Sequence, residues 1–211
     1  MMVTYNEVKD ILCEVSSIID KKKLYLSELD EAIGDGDHGL NLSKGFEAVE
    51  EQIKTINDDN IGNLLKVTGI TLVNTVGGAA GPLYGTAFIN GSSVVNDKDR
   101  IDINDYLNIL TEALSGIKMR GKAIEGEKTM IDTLSPVVNS LKNDIDEGKD
   151  LEVIMESIKD VARKGMESTR DVIATKGRAS YLKERSIGHK DPGATSMYYI
   201  LETICEHILN K

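Results

Sequence analysis

Aromatic residues are scarce in this 211-residue chain, at 4% of the total, and no convincing run alternates β-branched or aromatic residues with polar ones. That shortage argues against an extended sheet, because half-buried strands are written in such alternation. Cysteine is nearly missing, with Cys13 and Cys205 the two present. Neither a disulfide framework nor a cysteine-based zinc site is expected, and a reducing compartment fits. No uncharged apolar run reaches the ~18 residues of a membrane span. The opening Met1-Met2-Val3-Thr4-Tyr5-Asn6-Glu7 has no basic stretch leading into an apolar one, so the chain reads as cytoplasmic. Positive charge is short too, with 25 Lys and Arg against 35 Asp and Glu and a net charge of -10. A nucleic acid or an anionic membrane would call for a basic face, so neither partner is expected.

The chain is rich in helical patterning. With 40% hydrophobic residues it can build one sizeable core, and a single domain over residues 1–211 is expected. From Val8 onward, Ile11, Leu12, Val15, Ile18 and Ile19 recur at three- and four-residue spacings. This predicts a helix with one buried stripe, which Lys21-Lys22-Lys23 should close. Leu42, Phe46, Val49 and Ile53 mark a second helix. A third, over 60–76, reads as central and buried nearly all round through Leu64, Leu65, Val67, Ile70, Leu72 and Val73. Others are expected over 83–89, 102–122, 128–141 and 151–175, and a last from Asp191, with Pro192 in the first turn, to about Leu209. About eight helices joined by short loops predict an all-α, up-and-down antiparallel bundle or barrel.

The most informative stretch is Asp30-Glu31-Ala32-Ile33-Gly34-Asp35-Gly36-Asp37-His38-Gly39-Leu40-Asn41. On a regular helix the spacing of Asp30, Asp35 and Asp37 would splay the three carboxylates, whereas a loop bent at the interleaved glycines can bring them together. Clustered carboxylates repel, and a hard divalent cation held through oxygen stabilises all of them in charged form. Mg2+ is the expected ion, since it rests on a few carboxylates and completes its shell with waters and phosphates. Two competing templates fail. The dinucleotide fingerprint spelled by Gly34 to Gly39 lacks a preceding strand and carries carboxylates where a pyrophosphate would lie. An EF-hand started at Asp35 would place Gly39, Leu40 and Phe46 where an oxygen ligand, the glycine and the bidentate Glu belong.

Glycine-rich punctuation also falls at helix starts: His38-Gly39-Leu40-Asn41, Gly77 to Pro82, and Asp191-Pro192-Gly193. Helix N-termini carry free amides and partial positive charge, so these loops together could hold the phosphates of a nucleotide. Gly116-Ile117-Lys118-Met119-Arg120-Gly121-Lys122-Ala123 has the Walker spacing, but Ala123 lacks the hydroxyl a P-loop uses on Mg2+. Arg178 is a candidate guanidinium for phosphate oxygens, and Met130 and Leu83 are candidate walls for an adenine ring. Of the histidines, His38 is a candidate phosphate neighbour, His189 is second choice and His207 reads as structural. No nucleophilic triad or serine elbow is present.

Four segments in order carry a family resemblance: Ile33 to Gly39, Gly77 to Gly85, Gly126 to Asp132, and Lys176 to Tyr181 followed by Gly188 to Ala194. From about residue 5 to its end the chain resembles the nucleotide-binding L subunit of dihydroxyacetone kinase. The resemblance implies an eight-helix barrel with ADP and Mg2+ at one end. It places metal ligands on Asp30, Asp35 and Asp37, holding two Mg2+ ions. Nucleotide contacts fall on His38, Gly39, Leu40, Asn41, Ala79, Ala80, Gly121, Met130, Arg178, Asp191, Pro192 and Gly193, with Arg178 and His38 nearest the chemistry. Ala80 stands where the family often has Ser, removing one hydroxyl contact to phosphate. A free-standing chain of this length resembles the phosphotransferase-system version. That implies ADP kept as a cofactor, a phosphohistidine-bearing M subunit as donor, and dihydroxyacetone held on a K subunit as acceptor. Alternatives of other classes are a nucleotide-sensing module that docks on a transcriptional regulator, and an ATP-exchanging kinase subunit for another acceptor such as a fatty acid.

Overall fold

The computed structural model describes residues 2–211. Helix α1 (Tyr5–Ile33) starts at a capping box: the Thr4 side chain accepts the Glu7 amide, and the Glu7 carboxylate accepts the Thr4 amide at 2.7 Å. Lys21-Lys22-Lys23 does not close the helix, contrary to expectation. Leu26 and Ile33 carry the buried stripe on, while Lys23 pairs with Asp20 at 2.6 Å and Lys22 lies over the Tyr199 ring, 5.2 Å from its centroid. With these partners the lysines sit within the helix, which runs 29 residues, roughly 43 Å at 1.5 Å per residue.

Seven further α-helices follow: α2 (His38–Ile53), α3 (Ile61–Thr75), α4 (Ala80–Ser92), α5 (Ile103–Gly121), α6 (Ile131–Asp146), α7 (Leu151–Ser168) and α8 (Pro192–Leu209). Two short strands, β1 (Val3–Thr4) and β2 (Arg100–Ile101), pair antiparallel. Each helix packs on its predecessor and α8 returns onto α1, closing the ring. Neighbours run antiparallel, and the fold is the all-α, up-and-down barrel the sequence predicts, although the connection over residues 169–191 between α7 and α8 is long and carries two 3-10 segments, Thr169–Asp171 and Arg178–Ser186. Its interior is filled by residues such as Ile19, Leu26, Phe46, Leu64, Leu72 and Ile117. Among the described residues, no helix is long and apolar enough to cross a membrane.

Several details differ from the sequence reading: α4 begins earlier and ends later than 83–89, and α6 is shifted toward the C-terminus from 128–141. Helix α7 stops at Ser168 and gives way to a 3-10 turn over Thr169–Asp171, short of residue 175. Helix α3 is not buried all round: Leu64, Leu65 and Leu72 face the core, but Ile70 and Val73 are 45% and 39% exposed. Its other face is given over to a close approach. A Cβ on Gly69 would lie 2.7 Å from the Gly85 carbonyl of α4, and one on Gly85 would lie 2.7 Å from the Gly69 carbonyl.

Alternation of direction has one consequence for function. The C-termini of α1, α3, α5 and α7 and the N-termini of α2, α4, α6 and α8 gather at the same end. Gly69→Ala should push α3 and α4 apart along their length, at the Gly85 and Ile89 contacts. Its gain in helix propensity is outweighed by overpacking, for a net loss of about 1–3 kcal/mol. Thermal unfolding should show a melting temperature lower by several degrees, and an unchanged or raised one would contradict this account of the contact.

Candidate functional site

Where the helix ends gather lies a cleft of about 420 Å³, within the range of small-ligand sites. The α1–α2 turn supplies one wall. Asp30 belongs to the last turn of α1, and its Oδ2 accepts the backbone amides of Asp37 at 3.0 Å and His38 at 3.2 Å. That carboxylate thereby caps α2 from the preceding helix. Gly34 is required because a Cβ there would collide with the Asp30 carboxylate, and Gly36 because it takes φ +77°. Asp37 occupies the cap position of α2 without making a side-chain cap bond, which leaves its carboxylate uncommitted. The three aspartates converge as expected, each offering an oxygen within 4.8 Å of the others. The bend lies between Gly34 and Asp37, and Asp30 itself is helical. Three hard oxygen donors suit a divalent cation of the Mg2+ type.

Opposite stand the other helix starts. Gly77 lets Asn41 approach closely, a Cβ there meeting its side-chain nitrogen at 3.0 Å, and Gly78 takes φ +66° in open space. Ala79 then precedes α4 without a side-chain cap and Ala80 opens it, so free amides face the cleft. Gly121 ends α5 against Leu83, and Met130 precedes α6 without a side-chain cap, buried next to Gly193. Asp191 caps α8 by accepting the Ala194 amide at 2.7 Å, with Pro192 in the first turn as expected. Arg178 crosses the cleft to pair with Asp35 at 2.8 Å, its side chain 68% exposed.

Most of the expected site residues therefore meet in one cleft. Gly39, Leu40 and Asn41 do not line it. Gly39 is buried against the Lys23 carbonyl where α1 and α2 cross, Leu40 points outward at 51% exposure, and Asn41 sits behind Gly77. The His189 side chain is exposed, and His207 pairs with Glu14 at 3.0 Å.

Sequence reading missed the braces under the Arg178 and Asp191 loops. Lys128, 2% exposed, donates its ammonium to the carbonyls of Thr169 and His189, and more distantly to that of Val172 at 3.4 Å. Burial lowers its pKa. Asp132 accepts the amides of Gly126 at 2.5 Å and Thr129 at 2.7 Å. Glu127 accepts the Ile124 amide and the Thr175 hydroxyl and pairs with Lys176 at 3.5 Å. The segment around these residues carried the family resemblance. Its polar side chains gave no pattern of their own: Asp132 folds the loop locally onto Gly126 and Thr129, while Lys128 and Glu127 also reach groups more than 40 residues away.

Two titrating groups are displaced. Burial lowers the His38 pKa against the raising pull of Asp30 and Asp37, so the ring is neutral near pH 7. Burial raises Asp191 from 3.8 to about 7, partly opposed by the Ala194 amide and Lys128. A carboxyl with a raised folded pKa favours folding in its neutral form. That contribution is complete below the ordinary value and fades as pH rises toward 7. Asp191→Asn keeps the cap and removes the buried charge, so its stability relative to the parent should grow by about 1–3 kcal/mol as pH rises from about 4 to 7. Thermal unfolding of both proteins over that range checks this; parallel pH profiles would contradict it.

Residues 32–206 match the family model described as the DAK2 domain. The chain is 39% identical over 204 residues to the ADP-binding subunit DhaL of PEP-dependent dihydroxyacetone kinase from Escherichia coli K12, covering 97% of each. It is 44% identical over 178 residues to the corresponding subunit of dihydroxyacetone kinase 1 from Listeria innocua, covering 84% of each. The fold matches the native crystal structure of the dihydroxyacetone kinase of C. freundii with a TM-score of 0.72 at 25% identity, over 94% of this chain and 34% of that one. A second structure of that kinase, in complex with AMP-PNP and Mg2+, matches with a TM-score of 0.73 at 24% identity. The chain belongs to the DAK2-domain family, among the relatives that include the DhaL subunits of dihydroxyacetone kinase.

Proposed function

We propose that the chain is the cytoplasmic nucleotide-carrying subunit of a dihydroxyacetone kinase and holds ADP with Mg2+ in the cleft between its helix ends. The observation that carries this reading is the cluster of Asp30, Asp35 and Asp37, each within 4.8 Å of the others, facing helix starts across one cleft. Carboxylates alone would repel a phosphate, and amides alone would not select for a metal. Their opposition in one cavity suits a metal–diphosphate group.

Bound Mg2+, two ions in the family pattern, supplies charge neutralisation on the phosphates. The three aspartates would hold the metal. The uncapped amides at Ala79–Ala80 and the start of α8 would take phosphate oxygens, and Ala80 contributes its amide where a Ser would add a hydroxyl. Arg178, now on Asp35, is exposed enough to turn its guanidinium onto a transferring phosphoryl group. Met130 and Leu83 would flank the adenine. In this reading the M subunit's phosphohistidine recharges the nucleotide, and dihydroxyacetone on the K subunit receives the phosphoryl group. This chain contributes position and charge and needs no side-chain nucleophile.

Asp35→Ala and Asp37→Ala should each cut phosphoryl transfer from the M subunit to dihydroxyacetone on the K subunit by about 100-fold or more, with far-UV circular dichroism unchanged. Parent-like rates in both variants would remove the metal assignment and the function built on it.

A further inference from the structure

The His38 ring is tied into a buried hydrogen-bond relay. Its Nε2 lies 2.9 Å from Ser196 Oγ, and that oxygen lies 2.7 Å from the Tyr84 hydroxyl. Tyr84 is 1% exposed and Ser196 fully buried. His38 opens α2, Tyr84 lies in α4 and Ser196 in α8. The relay thus joins three of the helices that start at the cleft, and both His38 and Tyr84 line its wall.

Counting protons gives the relay a direction. Tyr84 has one proton and two acceptors in reach, Ser196 Oγ at 2.7 Å and the Gly193 carbonyl at 3.3 Å, so Ser196 receives it. Ser196 has one proton for Nε2 at 2.9 Å, the Pro192 carbonyl at 3.0 Å or the Gly193 carbonyl at 3.1 Å. Nε2 is the nearest of the three, and the two carbonyls lie in the first turn of α8, where they already accept helix amides, so the Ser196 proton goes to the ring. Nδ1, the nitrogen left over on a ring that lines the cleft, then carries the imidazole proton. A neutral ring protonated on Nδ1 must accept at Nε2.

We propose that Tyr84 and Ser196 are positioning residues: the relay Tyr84 O–H to Ser196 O–H to His38 Nε2 fixes the imidazole so that Nδ1–H serves as a hydrogen-bond donor to a bound phosphate. The phosphate part rests on the nucleotide reading above; the direction of the relay does not.

Long-range 1H–15N NMR of histidine-labelled, nucleotide-free protein reads the tautomer, with His38→Gln assigning the signals. The parent should show Nδ1 protonated and Nε2 bare. Ser196→Ala should shift the ring toward the Nε2–H form and weaken Mg-ADP binding about 3- to 10-fold. Tyr84→Phe frees Ser196 to bond its own helix carbonyls, so it should give a smaller shift in the same direction. It carries the test if Ser196→Ala does not fold. A parent protonated on Nε2, or ring signals that neither variant moves, would overturn the proposal. A parent protonated on Nδ1 that binds no Mg-ADP would overturn the nucleotide function and leave the relay standing.

Discussion

Mutual repulsion among Asp30, Asp35 and Asp37 is the constraint around which this end of the barrel is arranged. Three carboxylates with oxygens within 4.8 Å are stable only if positive charge or amide dipoles are supplied. The fold supplies both. Asp30 accepts two amides from the start of α2, placing its charge at the positive end of a helix dipole. Asp35 is paired with Arg178, carried by a segment almost 150 residues away. Asp37 is left without such a tie. The site is thus biased toward a cation without collapsing in its absence.

That arrangement depends on the closed, alternating helix order. Because α8 returns to α1, the Asp191 cap and the Arg178 segment come beside a turn near the opposite terminus of the chain. Two buried charges on that side are handled differently. Lys128 keeps its ammonium among backbone carbonyls, bracing loops with no regular structure of their own. Asp191, raised by burial to about 7, sits where a fully ionised carboxylate would oppose an incoming phosphate. Glycines set the spacing: Gly69 and Gly85 bring α3 against α4, and Gly77 and Gly81 let the turn fold onto Asn41 and the Val76 carbonyl.

Local features of the chain made much of this legible. Three Asp interleaved with Gly, a Pro just after Asp191, and the Gly77–Pro82 punctuation each have a short-range physical meaning, and each falls at the cleft. What could not be read locally was what depended on distant partners. Lys21, Lys22 and Lys23 resembled a helix end because Tyr199, packed beside Lys22, belongs to the last helix. Ile70 and Val73 read as core from hydrophobicity alone, yet both are exposed, because α3 presents Leu64, Leu65 and Leu72 to the core. Leu40 and Asn41 lie two and three residues after His38, but helical geometry carries their side chains away from the cleft wall. Lys128, Tyr84 and Ser196 act through groups 40 or more residues away, a relation that no spacing in the sequence encodes.

The central claim is that the aspartate cluster and the facing helix starts form a single metal–nucleotide site. Native mass spectrometry of the protein purified without added nucleotide, before and after treatment with a metal chelator, tests it most directly. The account predicts a retained mass of one ADP with Mg2+ that the chelator releases, because the phosphates are held chiefly through the metal. Nucleotide-free protein whose mass does not change when ADP and Mg2+ are supplied would contradict it.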